Sequence, residues 1–249
     1  MGHIGRINQD SFKEKFVLDE DIWFGKVKFK YFDIKSITLG LHEMNNFMCV
    51  QSLTLSKYYD RVPHPLKYFS FLKSITFGDN FDKSIEPIKS CTDLRMITFG
   101  HNFNQSIKPL ASCTDLRMVT FGEFFDQTIE SLANCVKLQS IKFGDDFNQS
   151  IKPLKQCINL QSVTFGYCFN QSIKPLKRCN DLRSVVFGYR FNRTIESLRW
   201  CNNLRLVAFG NMFNCVITIL RHCPNIEKIT LSTRYEKKIC IDKALVFYI

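Results

Sequence analysis

A Phe-Gly pair stands at Phe77, Phe99, Phe121, Phe143, Phe165, Phe187 and Phe209, each pair 22 residues after the last, with no insertion or deletion between copies. A unit of that length cannot bury its own apolar side, so copies must stack on one another and share a core. The chain is thereby held to a solenoid, an elongated coil whose equivalent positions line up in columns with one residue per turn. The high phenylalanine count, 24 in 249 residues, follows from the same repetition.

The unit reads LxxIxFGxxFNxxIxxLxxCxx, with Leu94, Ile97, Phe99, Gly100, Phe103, Asn104, Ile107, Leu110 and Cys113 as one copy. Ile97 and Phe99 alternate with Met96 and Thr98, the period of a strand with one buried face. One short strand per turn, stacked, gives a parallel sheet. Gly100 follows the strand at the corner of the coil, where a residue without Cβ accepts positive φ or a close neighbour. Beyond it Phe103, Ile107, Leu110, Cys113 and Leu116 fall mostly three residues apart, which fits 3₁₀ or single-turn segments better than a long helix. Pro87, Pro109, Pro153 and Pro175 share one position, where proline's fixed φ suits the first turn of such a segment. The predicted class is an α/β-type solenoid, a leucine-rich-repeat-like right-handed coil with one short parallel strand per 22-residue repeat and mostly turns, 3₁₀ or single-turn helices on the convex side.

Residues 50–225 hold the repeats, the first copy degenerate, with Pro63 and Phe69 replacing the Ile and Cys. Residues 1–49 read as an N-terminal cap, with strands expected over VKFKYF (Val27 to Phe32) and SITLG (Ser36 to Gly40). Residues 226–249 read as a partial repeat that dissolves into RYEKKICID, followed by an apolar ALVFYI segment expected to shield the last coil.

Cys91, Cys113, Cys135, Cys157, Cys179, Cys201 and Cys223 share one repeat position. Residues 1–16 lack the apolar stretch of a secretory signal, and no uncharged apolar run approaches the ~18 residues of a membrane span. Both point to a soluble, intracellular chain in which the cysteine column is a row of reduced, buried thiols, although adjacent rungs roughly 4.8 Å apart lie within disulfide reach. Asn104, Asn148, Asn170, Asn192 and Asn214, with Asp82 and Asp126, form a polar column expected to turn inward and satisfy backbone groups of the loop and the adjacent coil. The glycosylation sequons at Asn104, Asn148, Asn170 and Asn192 read as by-products of the repeat.

The runs GHNFNQSIKPL, GDDFNQSIKPL and GYCFNQSIKPL resemble the FNIP repeat, a relative of the leucine-rich repeat named for Phe-Asn-Ile-Pro. The resemblance covers about residues 50–235 and implies an interaction module without catalysis. Many members of that family pair the repeats with an N-terminal F-box, which would imply a substrate-recruiting adaptor of a ubiquitin ligase. Residues 1–49 contain no recognisable F-box, so that role would require a divergent one.

The histidines, His3, His42, His64, His101 and His222, have no metal-ligand or triad spacing, no C-x-x-C occurs, and the repeat glycines come singly. No enzyme and no cofactor are expected. The expected function is a protein-interaction scaffold with an unspecified partner, whose binding residues lie where copies differ. Variation concentrates at the two positions after Gly, where Phe124, Tyr167, Cys168, Tyr189 and Arg190 occur. The edge of the concave face formed by Tyr167, Tyr189 and Arg190, with Phe124 in an earlier copy, is the expected partner site.

Charge supplies an alternative. Residues 72–137 hold seven Lys/Arg against eight Asp/Glu, whereas residues 138–225 hold twelve against four, so the net charge of +11 is concentrated late in the repeats. Lys152, Lys155, Lys174, Lys177, Arg178, Arg199 and Arg221 fall on convex positions around the cysteine column, with Trp200 among them. Such a stripe suits a polyanion or nucleic acid, or is a solvated face that keeps a repetitive protein soluble.

Overall fold

The computed structural model describes residues 16–18, 51–55, 57–63, 66, 69, 71–237, 239 and 241–248. Among these, strands β1 (Phe16–Leu18), β2 (Ser52–Leu55), β3 (Ser74–Thr76), β4 (Met96–Thr98), β5 (Met118–Thr120), β6 (Ser140–Lys142), β7 (Ser162–Thr164), β8 (Ser184–Val186), β9 (Leu206–Ala208), β10 (Lys228–Leu231) and β11 (Val246–Tyr248) form one parallel sheet in chain order. From β2 to β10 each residue pairs with the one 22 positions on, Ile97 with Val119 and Val119 with Ile141 for example. The sequence period is therefore the strand register, and every repeat position becomes a column.

Opposite the sheet lie five-residue 3₁₀ segments such as Lys108–Ser112, Lys152–Gln156, Lys174–Arg178 and Glu196–Trp200. The three-residue spacing of buried side chains is the spacing of their hydrogen bonds: the Leu110 amide donates to the Ile107 carbonyl, Cys113 to Leu110 and Leu116 to Cys113, at 2.9, 2.9 and 3.1 Å. Between sheet and 3₁₀ face run two rows of phenylalanine rings. Phe99, Phe121 and Phe143 stack at 5.4 and 5.7 Å, Phe103, Phe125 and Phe147 at 6.0 and 6.1 Å, and Phe121 meets Phe125 at 3.9 Å. Burying each such ring contributes about 1.5–3 kcal/mol, so these rows, with the Ile and Leu columns, dominate stability.

The corner glycines are required by proximity. A Cβ on Gly144 would lie 1.7 Å from the Gly122 carbonyl oxygen, and one on Gly122 would lie 1.8 Å from that of Gly100. Of the two reasons the sequence left open, close approach is the operative one.

The polar column differs from expectation in one respect. Its oxygens serve the adjacent coil as expected, but the side chains do not turn into the core: Asn148 and Asn192 are exposed, and Asp82, Asn104, Asp126, Asn170 and Asn214 are half-buried. Asp82 Oδ1 accepts the Asn104 amide at 2.9 Å, Asn104 Oδ1 the Asp126 amide at 3.0 Å, and Asn148 Oδ1 the Asn170 amide at 2.9 Å. An oxygen serving a backbone amide of the next coil has to lie beside the chain, so water reaches its other side.

The cysteine column is buried and its thiols are free. Cys113 Sγ approaches the carbonyls of Ile88 and Cys91 at 3.9 and 3.6 Å. Burial pushes the thiols of Cys113 and Cys135 from the usual range near 9 up to about 12, which makes them inert at neutral pH.

The ends modify the repeat. Pro63, Leu66, Phe69 and Leu72 carry the 3₁₀-type hydrogen bonds of the degenerate first copy, and β1 pairs with β2, a strand the sequence did not single out. The strands expected over Val27 to Phe32 and Ser36 to Gly40 lie outside the described residues. At the far end the repeat persists further than the pattern suggested: Tyr235 stacks on Phe213 at 6.1 Å, and its hydroxyl donates to the Cys215 carbonyl at 3.0 Å. Within the ALVFYI segment Val246–Tyr248 pair with β10 as strand β11, yet Phe247 and Tyr248 stay about half exposed.

Candidate functional site

The two residues after each glycine form a turn, and the backbone binds each turn to the one before it. The Cys168 amide donates to the Asp145 carbonyl at 2.7 Å, Arg190 to Tyr167 at 2.9 Å and Met212 to Tyr189 at 3.0 Å. These bonds use no side chain. The corners therefore keep one backbone frame on which side chains vary, with one addition at this site: Asp145 Oδ1 also accepts the Tyr167 amide at 3.1 Å.

On that frame Tyr167 and Tyr189 lie one coil apart with rings parallel, centroids 4.8 Å apart and planes within 3°. The Arg190 guanidinium sits 5.5 Å over the Tyr167 ring. Met212, about half exposed, extends the group, and a shallow groove beside it is completed by Asn148, Cys168 and Asn170. The structure thus brings Tyr167, Tyr189 and Arg190 together. It leaves Phe124 apart, two coils earlier, packed edge-on against His101 at 4.6 Å. His101 Nδ1 in turn lies 3.1 Å from Glu123 Oε2, across one coil. Between the two groups stand Asp145 and Asp146, both exposed.

The sheet face is flatter. Ser140 and Ser162 hydroxyls bond at 3.0 Å across β6 and β7. Met96 and Met118, in register on β4 and β5 and 43% and 40% exposed, form an apolar spot the sequence reading passed over. Their strand positions alternate with buried Ile97 and Val119, which was the available signal.

On the 3₁₀ face the stripe divides. Lys152 and Lys174 open their segments, in a column whose other members include Glu130 and Glu196. Lys155, Lys177, Arg199 and Arg221 occupy the fourth position of successive segments, and Arg178, Trp200 and His222 the fifth. Trp200 is 58% exposed, so the C-terminal segment does not cover it, and Arg199 places its guanidinium 5.5 Å over the indole ring. Among the described residues no three His, Cys, Asp or Glu side chains converge to hold a metal ion.

One parallel strand per coil, 3₁₀ turns opposite and a core of repeated apolar columns define a leucine-rich-repeat solenoid. Solved structures share this fold. The chain is similar to an internalin, InlF, of Listeria monocytogenes, with a TM-score of 0.64 and 16% identity over 78% of this chain and 59% of that one. It is also similar to internalin C2 of the same organism, at 0.64 and 17% over 76% and 83%, and to the circular leucine-rich-repeat protein CroV588, at 0.62 and 25% over 80% and 30%. No protein-family model and no curated protein matches the chain, so the narrower FNIP resemblance rests on its motif residues.

Proposed function

We propose that this protein is a non-enzymatic protein-interaction scaffold that engages its partner through the corner column at Tyr167, Tyr189 and Arg190. The carrying observation is the parallel tyrosine pair topped by the Arg190 guanidinium, presented on corners joined by backbone bonds and, at Tyr167, by its amide donating to Asp145 Oδ1 at 3.1 Å. Tyrosine and arginine are the side chains that anchor interfaces, and anchors already ordered in the free protein lose little entropy on binding. Asp145, Asp146 and the His101–Glu123 pair supply a polar rim on one side, and Phe124 is a separate anchor point for a partner long enough to span the intervening coil. Among the described residues no helix is long and apolar enough to cross a membrane. A ligase-adaptor role depends on residues 1–49, of which the structure describes β1 alone.

The test is affinity capture from the cells that make this protein, comparing the wild type with Tyr167→Ala/Tyr189→Ala. Tyr167 is exposed and Tyr189 half-buried, and neither belongs to the core, so the double variant is expected to stay folded and to retain its partner at least ~10-fold less well, in line with the loss of a binding anchor. Equal capture by the folded variant would move the partner to another face.

A further inference from the structure

We propose a second binding site, on the face opposite the sheet: a column of cations that takes the phosphate backbone of a single-stranded nucleic acid, with Trp200 as the platform on which a base stacks. The column begins abruptly. The fourth position of the 3₁₀ segments holds Ala111 and Ala133, and then Lys155, Lys177, Arg199 and Arg221 in four successive coils. Coils stack at the strand spacing, roughly 4.8 Å, so four like charges stand in a line with no carboxylate between them.

Nothing within the described residues neutralises that line. At the first and fourth positions of an earlier segment, Glu86 and Lys89 do form an ion pair. Glu196 and Arg199 occupy the same two positions, yet no ion pair joins them and the guanidinium lies over Trp200 instead. Glu130 and Asp181 are likewise in no ion pair among the described residues. A row of unpaired cations raises the energy of the free protein by self-repulsion, which a bound polyanion relieves.

The groove beside the column decides which polyanion. It is lined by Lys177, Arg178, Asn180, Trp200, Asn202 and Asn203. An exposed indole flanked by cations matches what sequence-tolerant single-strand binding requires, a charged track for phosphates and an aromatic face for bases. Among the described residues the side-chain amides of Asn180 and Asn202 enter no hydrogen bond and can meet base edges, whereas Asn203 Nδ2 is engaged with the Asn180 carbonyl at 3.1 Å. An acidic peptide has no use for the indole. A lipid surface would need apolar side chains around Trp200, and its neighbours in the groove are Lys, Arg and Asn.

The experiment is fluorescence anisotropy of a labelled 12-nucleotide oligouridine with the full chain. Binding at 50 mM salt is expected to weaken about fifty-fold by 200 mM, because four phosphate contacts on a single strand give a logarithmic salt slope near −3. Lys177→Gln/Arg199→Gln is expected to cut affinity and reduce the slope by about 1.4, two contacts' worth. Trp200→Ala is expected to weaken binding about ten-fold with the slope unchanged, the signature of a lost stacking contact. All three side chains are exposed, so unaltered melting temperatures are expected and separate binding from folding. Tyr167→Ala/Tyr189→Ala should leave oligouridine binding intact, which keeps this site distinguishable from the corner site. The proposal fails if oligouridine does not bind at 50 mM salt or if either variant binds like the wild type. It also fails if polyglutamate or vesicles containing a quarter phosphatidylserine compete as well as unlabelled oligouridine.

Discussion

At the residue scale the interior tolerates little change of volume. Gly144→Ala would drive a Cβ into the Gly122 carbonyl, 1.7 Å away, and relief requires two coils to separate along the whole strand. A loss of about 1–3 kcal/mol, the range for overpacking, is expected in thermal melts. A melt identical to the wild type would mean that the coils give way easily. The thiol column makes a second prediction. A buried Cys135 thiol titrates at about 12 in the folded state and near 9 when unfolded. Its folded pKa is raised, so its contribution is complete below pH 9 and disappears as pH climbs toward 12. Stability against urea is expected to be level from pH 7 to about 8.5 and to fall above 9, with Cys135→Ala removing only its own share of that fall, because the other thiols of the column are raised in the same way.

At the scale of the element, the Asn/Asp column shows what the repeat demands at that position. Asp82, Asn104, Asp126 and Asn148 all use Oδ1 to accept an amide of the next coil, so the requirement is for an oxygen at that reach and not for an amide group. Asn148→Ala leaves the Asn170 amide without its 2.9 Å partner, at a cost of about 1 kcal/mol, since water can partly replace an exposed acceptor. Asn148→Asp is expected to unfold near the wild-type midpoint in urea. If Asp behaves like Ala, the oxygen is not what matters. The repeat pattern made the strand, the corner and the 3₁₀ segments legible because each has its own spacing. It had the polar column serving the adjacent coil but set it too far inward, because a period says which residues align and not how deep a short side chain lies.

At the scale of the whole molecule, charge is distributed along an axis. The coils of residues 72–137 are close to neutral, while those of 138–225 carry the excess of Lys and Arg. Pairs such as Arg205–Glu227 at 3.0 Å and Lys83–Asp60 at 2.8 Å are solvent-exposed and contribute little. Repulsion along Lys155, Lys177, Arg199 and Arg221 therefore outweighs pairing, and salt screens it. The melting temperature is expected to rise by a few degrees between about 20 and 300 mM sodium chloride, and less so in Arg199→Gln. A fall with salt would show that ion pairs carry more of the stability than the geometry indicates. The ends resisted inference for a related reason. Tyr235 continues the ring row where the consensus Phe is missing, because an aromatic ring with its hydroxyl satisfied by the Cys215 carbonyl fills the same space.

A 22-residue period determined by itself the register of β2 to β10 and the buried columns. Stacking needs only the spacing of apolar residues, and spacing is written in the chain. The tertiary structure alone decided what adjacent variable residues do to each other. Tyr167 and Tyr189 stack while Phe124 turns to His101. Arg199 lies over Trp200 where Lys89, at the same position, pairs with a glutamate. These outcomes depend on side-chain direction and on competition between a carboxylate and an aromatic face for one cation, which no count of positions contains.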